Sequence, residues 1–276
     1  MSDYTEPFPR RADWELAGSQ PLSDRSIQAP LFYARVSTRF PNSANGKDLS
    51  FNCFADDGHI YYCKDDSGPR PIRATEWICT QLARHLGIPA ADCAVLEDEN
   101  GDTFFGSKKP DRVIASRFEL DDHLRRSAMD ETGRPTSWMG QFLARLWAYD
   151  YFICNPDRGL QNLILDRDGS IGIVKAIDFA SAQLLPFSVG KLPIESDPTV
   201  LVGRDLRQRF GSHQSAAFEM LDRIGAVPKS VIAGIIGQMP DDWLSEDQAG
   251  GLIEVWSNGK CQERVKELKA LIENDW

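Results

Sequence analysis

The sequence predicts an α+β protein of two lobes, strand-rich first and helical second, meeting near residue 120. Three observations carry this. Up to that point, short β-branched and aromatic runs alternate with turn residues around one amphipathic helix. From Ser137 onward the apolar residues recur at helical spacing instead. The composition, 42% hydrophobic with seven Trp and fourteen Phe, belongs to a folded chain rather than a disordered one.

Residues 1–27 are rich in Pro, Arg, Ser and Asp without periodicity and read as an irregular arm. Residues 28–119 then form the first lobe and residues 120–276 the second. Leu31–Arg39 and Asp48–Phe54 read as strands around the turn-forming stretch from Pro41 to Gly46. The turn Asp56-Asp57-Gly58 precedes a third strand, His59–Lys64, which ends on a lysine. Thr75–Leu86 is an amphipathic helix with Ile78, Leu82 and Leu86 on one face, closed by Gly87 and Pro89. Val95–Glu97 and Thr103–Gly106 suggest a hairpin. Val113–Glu119 reads as a strand leading into a polar segment, Leu120–Thr136.

In the second half, Met139, Phe142, Leu143, Leu146, Asp150 and Ile153 lie along one helical stripe that stops at Asn155-Pro156. Two short strands follow, Asn162–Leu165 and Ile171–Ile177, joined by a turn at Asp166–Gly169. Ser215–Ile224, Lys229–Gln238 and Gln262–Glu273 are helical in pattern.

Charge and composition exclude several classes of function. A net charge of −10 argues against a broad nucleic-acid or anionic-membrane surface. No apolar run reaches the roughly 18 residues a membrane span needs. The N-terminus has neither the basic nor the apolar region of a secretory signal. The six cysteines are scattered without a CxxC pair, so they are expected to be reduced, mostly buried thiols of a cytoplasmic protein.

The strongest chemical signal is the run from Asn155 to Asn162, followed by Ile177-Asp178-Phe179. Asp157 and Asn162 share a loop between a helix and a hairpin, and Asp178 returns at the hairpin's end. Transfer of a γ-phosphoryl group needs a carboxylate to orient the attacking hydroxyl and oxygen ligands to hold Mg²⁺ on the phosphates. Asp157 fits the first role, and Asn162 and Asp178 fit the second. The plainer alternative is that Asp157 and Asn162 serve a turn while Asp178 caps a strand end. The ordered set is much rarer than any one member. Lys64 and Glu76 form a second constellation, a strand lysine followed by a glutamate opening a helix, as kinases use to fix positive charge on the α- and β-phosphates. Its alternative is a surface lysine and a first-turn glutamate favoured by the helix dipole. Asp150, in an aromatic helix end, is expected to hold the loop through hydrogen bonds.

Lys64, the stretch Thr75–Pro89, the NxDR…N motif of Asn155–Asn162 and Ile177-Asp178-Phe179 together resemble the HipA-like kinases over roughly residues 45–185. The resemblance implies a bilobal protein-kinase-like fold, ATP and Mg²⁺ as cofactors, and phosphotransfer to a hydroxyl, as in the family's namesake toxin kinase, which acts on serine of a protein. It further implies that Phe118, Glu119 and Leu120 form the interlobe hinge whose backbone meets adenine. Arg158 then bridges to substrate or to the loop, with a structural salt bridge as the alternative.

Departures from the pattern bear on partners and mechanism. Ala180 replaces the glycine of a DFG-like triplet, a position where the family varies. No Gly-rich loop is evident. Its candidate, Asn42–Lys47, offers the amides of Asn45 and Gly46 and the ammonium of Lys47, and reads equally as a solvated hairpin tip. Ser43 there is a candidate autophosphorylation site by analogy. No additional N-terminal domain for a DNA-binding antitoxin is recognisable, so toxin action does not follow from the resemblance; an antitoxin-like partner is possible but unsupported by the sequence. Three rival readings remain: a small-molecule or lipid-head-group kinase on the same scaffold, a nucleotide-binding pseudokinase, and a kinase-like fold that transfers AMP instead of phosphate.

Overall fold

The computed structural model describes residues 33–40, 48–66, 70–110, 113–114, 117–130, 132–168, 171–184 and 192–275. The strands β1 (Ala34–Phe40), β2 (Phe51–Ala55), β3 (Ile60–Lys64), β4 (Cys93–Glu97) and β5 (Thr103–Lys108) form a closed barrel in the order β1-β2-β3-β5-β4. All neighbours are antiparallel except β1 and β4, which close the barrel in parallel through Ala34↔Leu96 and Arg35↔Glu97. Closure removes the free sheet edges that an open five-stranded sheet would leave. Its interior is small: Cys53, Ala55, Tyr61, Cys63, Leu96 and Phe104 fill it. Gly106 is required there, because a Cβ at that position would lie 2.6 Å from the Leu96 side chain.

Helix α1 (Ile72–His85) covers the barrel and joins it to the helical part. Trp77 reaches across to donate its indole N–H to the Ile235 carbonyl at 3.0 Å, and Cys79 O accepts the Tyr149 hydroxyl at 2.6 Å. The expected helix over Thr75–Leu86 therefore starts slightly earlier.

The segment after the barrel departs from expectation. The strand expected over Val113–Glu119 shortens to β6 (Val113–Ile114), and α2 (Arg117–Arg126) takes in its end and the first part, Leu120–Arg126, of what reads as a polar segment. Among the described side chains of α2 only Leu120 and Leu124 enter the core, and Arg125 and Arg126 pair with Asp121 and Asp122 one turn back. A helix that buries one narrow stripe leaves little periodicity to read.

The helical half is organised around α3 (Trp138–Phe152), most of which is buried. It hands over to β7 (Leu163–Asp168) and β8 (Ile171–Ala176), an antiparallel hairpin to which β6 adds a third strand. Beyond lie α4 (Pro198–Phe210), α5 (Gln214–Gly225), α6 (Lys229–Ile236), α7 (Glu246–Val255) and α8 (Lys260–Asp275). One hydrophobic cluster runs from α1 through α3, the hairpin and α5 to α8. The C-terminus of α3 is capped from a distance: Arg264 of α8, 1% exposed, donates to Phe152 O at 2.6 Å and Tyr151 O at 2.9 Å. A cation placed on the last carbonyls satisfies them and complements the negative end of the helix.

Candidate active site

Three stretches distant in sequence meet at the end of β3. The side chain of Lys64, the last residue of that strand, is 10% exposed. Its ammonium bonds Glu76 of α1 and, at 2.6 Å, Oδ1 of Asp178, 114 residues further along the chain. Glu76 is buried, and its second oxygen accepts the Phe179 amide at 3.1 Å. One carboxylate thus holds both the lysine and the backbone that follows Asp178.

The charges in this cluster are set by burial against pairing. Burial disfavours the Lys64 charge, but the Glu76 and Asp178 carboxylates outweigh it and raise the lysine above its ordinary value. Burial also works against the Asp178 anion. There the Lys64 ammonium prevails, and the carboxyl falls below its ordinary range. At neutral pH, Lys64 is therefore cationic and Asp178 anionic.

Asp157 rides on a turn held from several sides. Asn155, Arg158 and Asn162 are all buried, whereas Asp157 between them is exposed. Arg158 makes a two-pronged ion pair with Asp150 of α3, Nε to Oδ2 at 2.8 Å and Nη2 to Oδ1 at 3.1 Å, with both side chains fully buried. Its Nη1 donates to the Asn162 and Ile177 carbonyls at 2.8 and 2.6 Å, and its Cζ lies 4.7 Å from the Phe179 ring centroid. Asn155 also donates to Asp150, and Asn162 Nδ2 closes the turn on the Asp157 carbonyl at 2.6 Å. Arg158 thereby locks the Asp157 turn to the strand leading into Asp178.

Two backbone positions at this site lie in the left-handed region. Asp178 has φ +60°, and Cys154, just past the end of α3, has φ +49°. Such conformations are unfavourable for residues other than Gly, Asn and Asp, and they persist where the surroundings over-determine them.

Among the described residues no group of three or more His, Cys, Asp or Glu comes together to hold a metal ion unaided. Mg²⁺ asks for less, because it takes one or two protein ligands and completes its shell with phosphate oxygens and water. Asp178, whose side chain is 39% exposed beside a buried cation, and Asn162 are donors of that kind.

A family model of the HipA-like kinases matches residues 36–268. The chain belongs to the HipA-like kinase family. Its architecture agrees with that placement. The proinflammatory kinase CtkA of Helicobacter pylori superposes with a TM-score of 0.54 at 12% identity, covering 87% of this chain and 97% of that one. HipA of Shewanella oneidensis MR-1, solved with HipB and operator DNA, superposes with a TM-score of 0.50 at 14% identity, covering 92% of this chain and 69% of its own. No curated protein matches the sequence. The family makes the chain a kinase, and the fold it shares with these structures is protein-kinase-like.

In this HipA-like kinase, Arg158 takes the structural course among its alternatives. Arg158 is 0% exposed and bonded to Asp150 and the two carbonyls, so it makes the structural salt bridge and the bridge to the loop. Phe118, Glu119 and Leu120 are helical, in the first turns of α2, rather than extended. Phe118 is 74% exposed, Glu119 is exposed and Leu120 is buried in the core. The strand expected to reach Glu119 therefore ends before them. Asn45, Gly46 and Lys47, together with Ser43, lie outside the described residues.

Sequence reasoning missed Thr199 and Arg264. Thr199 follows Asp197-Pro198, an acceptor residue and then a proline that mark a helix start, so its place was signalled though not its contacts. Nothing local marks Arg264 as a cap for a helix more than a hundred residues earlier.

Proposed function

We propose that the chain transfers the γ-phosphoryl of Mg·ATP to a hydroxyl, that of a serine or threonine in a protein. The observation that carries this reading is the meeting of Lys64, Glu76 and Asp178 from three separate elements at the foot of the Asp157 turn. ATP would supply the γ-phosphoryl group and depart as ADP, and bound Mg²⁺ would neutralise the charge that develops on it. Lys64, kept protonated by its two carboxylates, provides a fixed positive charge for the phosphates, and Glu76 keeps it in place. Asp178 and Asn162 offer the oxygen ligands for the metal. Asp157, exposed on a rigid turn, orients the acceptor hydroxyl and takes its proton. The barrel with α1 serves as the nucleotide lobe and residues 120–276 as the catalytic lobe, so the cluster lies between them. These contributions are positioning and electrostatics, and they cost no reorganisation during the reaction.

The serine or threonine acceptor is supported by the family resemblance. HipA was solved with HipB, which leaves room for an antitoxin-like protein partner here, whereas a charge of −10 suits no broad nucleic-acid surface.

The decisive test incubates the protein with Mg²⁺ and either γ-labelled or α-labelled ATP, alongside Asp157→Ala and Asp178→Ala. Label from γ-ATP on protein, lost by orders of magnitude in both variants, is the expected outcome. Label from α-ATP alone would mean nucleotide transfer instead and would overturn the proposal.

A further inference from the structure

We infer that Thr199 is a positioning residue for phosphotransfer, fastening the turn that carries Asp157 and fixing the direction in which that carboxylate points. The inference rests on the assignment of Asp157 as the residue that receives the acceptor's proton.

Thr199 is fully buried and is the second residue of α4, after the Pro198 that opens the helix. Its hydroxyl makes two bonds to the turn, donating to Asn155 O at 2.6 Å and accepting the Arg158 amide at 2.8 Å. Its own amide donates to Pro156 O at 3.1 Å. Of the four residues Asn155–Arg158, the three held by Thr199 are therefore all except Asp157, which is the exposed member. On its far side, the Thr199 carbonyl accepts the indole N–H of Trp147, from α3, at 2.6 Å. The threonine joins two helices to the turn, and the proline before it fixes the helix entry.

The chemistry singles out a hydroxyl. One oxygen must donate to a carbonyl and accept from an amide at the same time, which an aliphatic side chain of the same shape cannot do. Without it, a buried carbonyl and a buried amide lose their partners, and the turn shifts to recover them. The Arg158–Asp150 pair also holds the turn, so loss of the hydroxyl moves the turn without dismantling it. A shift of about 1 Å in a catalytic group costs on the order of 10²-fold in rate.

The test compares Thr199→Val, Thr199→Ala and Thr199→Ser in the wild-type and Asp157→Ala backgrounds. It measures Mg²⁺-dependent transfer from γ-labelled ATP to the protein itself and to dephosphorylated casein. Thr199→Val and Thr199→Ala are expected to lower kcat on the order of 10²-fold with the KM for ATP unchanged, while Thr199→Ser recovers most of the rate. In the Asp157→Ala background the same substitutions should add little further loss, because the group they position is gone. Thr199→Val or Thr199→Ala retaining wild-type kcat would overturn the role of Thr199. So would full additivity with Asp157→Ala, or a rate loss matched by a rise in KM. Full activity in Asp157→Ala alone would instead remove Asp157 as the base, and this inference would fall with it.

Discussion

Asp178 and Lys64 show how a single ion pair can tie stability to pH at both extremes. Asp178 is held below its ordinary value, and Lys64 is raised above the usual 10.5, with Glu76 the other carboxylate facing the lysine. A depressed carboxyl adds stability that is present above its unfolded pKa and lost as pH falls through the folded one. A raised lysine adds stability that is complete below its unfolded value and lost only as pH rises through the folded one. Asp178→Asn should therefore melt below wild type by a constant margin from neutral pH down to the ordinary carboxylate range. Below that range the two melting curves should converge. A margin that stayed fixed into strong acid would show that the charge of Asp178 adds nothing to stability. Arg158 and Asp150 form a different kind of pair, fully buried, in which removing one partner strands the other. Arg158→Met should lower the free energy of unfolding by about 3–5 kcal/mol, measured by urea denaturation, because it leaves the Asp150 carboxylate uncompensated.

Helix α4 carries the contact that decides how α3 and the Asp157 turn are held together. Gly203 sits where a Cβ would lie 2.5 Å from Trp147 Nε1 and 2.6 Å from its Cδ1. That same indole nitrogen donates to the Thr199 carbonyl. In an exposed helix, Gly→Ala stabilises by roughly 0.5–1 kcal/mol. Here the added methyl must displace a buried indole, and overpacking costs about 1–3 kcal/mol. The balance predicts that Gly203→Ala lowers the melting temperature, and kinase activity falls with it as the indole leaves Thr199. A raised melting temperature would mean that α4 can slide away without penalty. Elements with strong periodicity were legible in the sequence: α1, α3, the β7–β8 hairpin and the lysine-ended β3. The loop from Asn155 to Asn162 was legible too, because its residue types and spacing are rare together. What escaped was α2, with two buried leucines in a charged helix, and the closure of the barrel by a parallel contact between β1 and β4. Both follow from tertiary packing, and neither leaves a local pattern.

The cluster at Lys64 joins the strand barrel to the helical half, so a ligand bound there should stabilise the whole chain. Lys64 belongs to β3, Glu76 to α1 and Asp178 to the segment after β8, while one hydrophobic cluster runs from α1 to α8. Unfolding either part would destroy the site. A ligand that binds only the folded state at about 100 times its Kd adds roughly 2.7 kcal/mol. For a chain of this size that is a rise on the order of 5–10 °C in melting temperature. Mg·ATP should give such a rise, EDTA should remove most of it, and Asp178→Asn should lose the part that depends on the metal. Lys64→Met should lose more, because it removes positive charge for the phosphates and leaves buried Glu76 without its main partner. Measured against each variant's own baseline, the shift separates nucleotide binding from general destabilisation. A rise that EDTA leaves untouched would mean that the nucleotide is held without a metal. Asp178 and Asn162 would then have no ligand role, and Lys64 with Glu76 would stand as a nucleotide-binding pair on a non-catalytic scaffold.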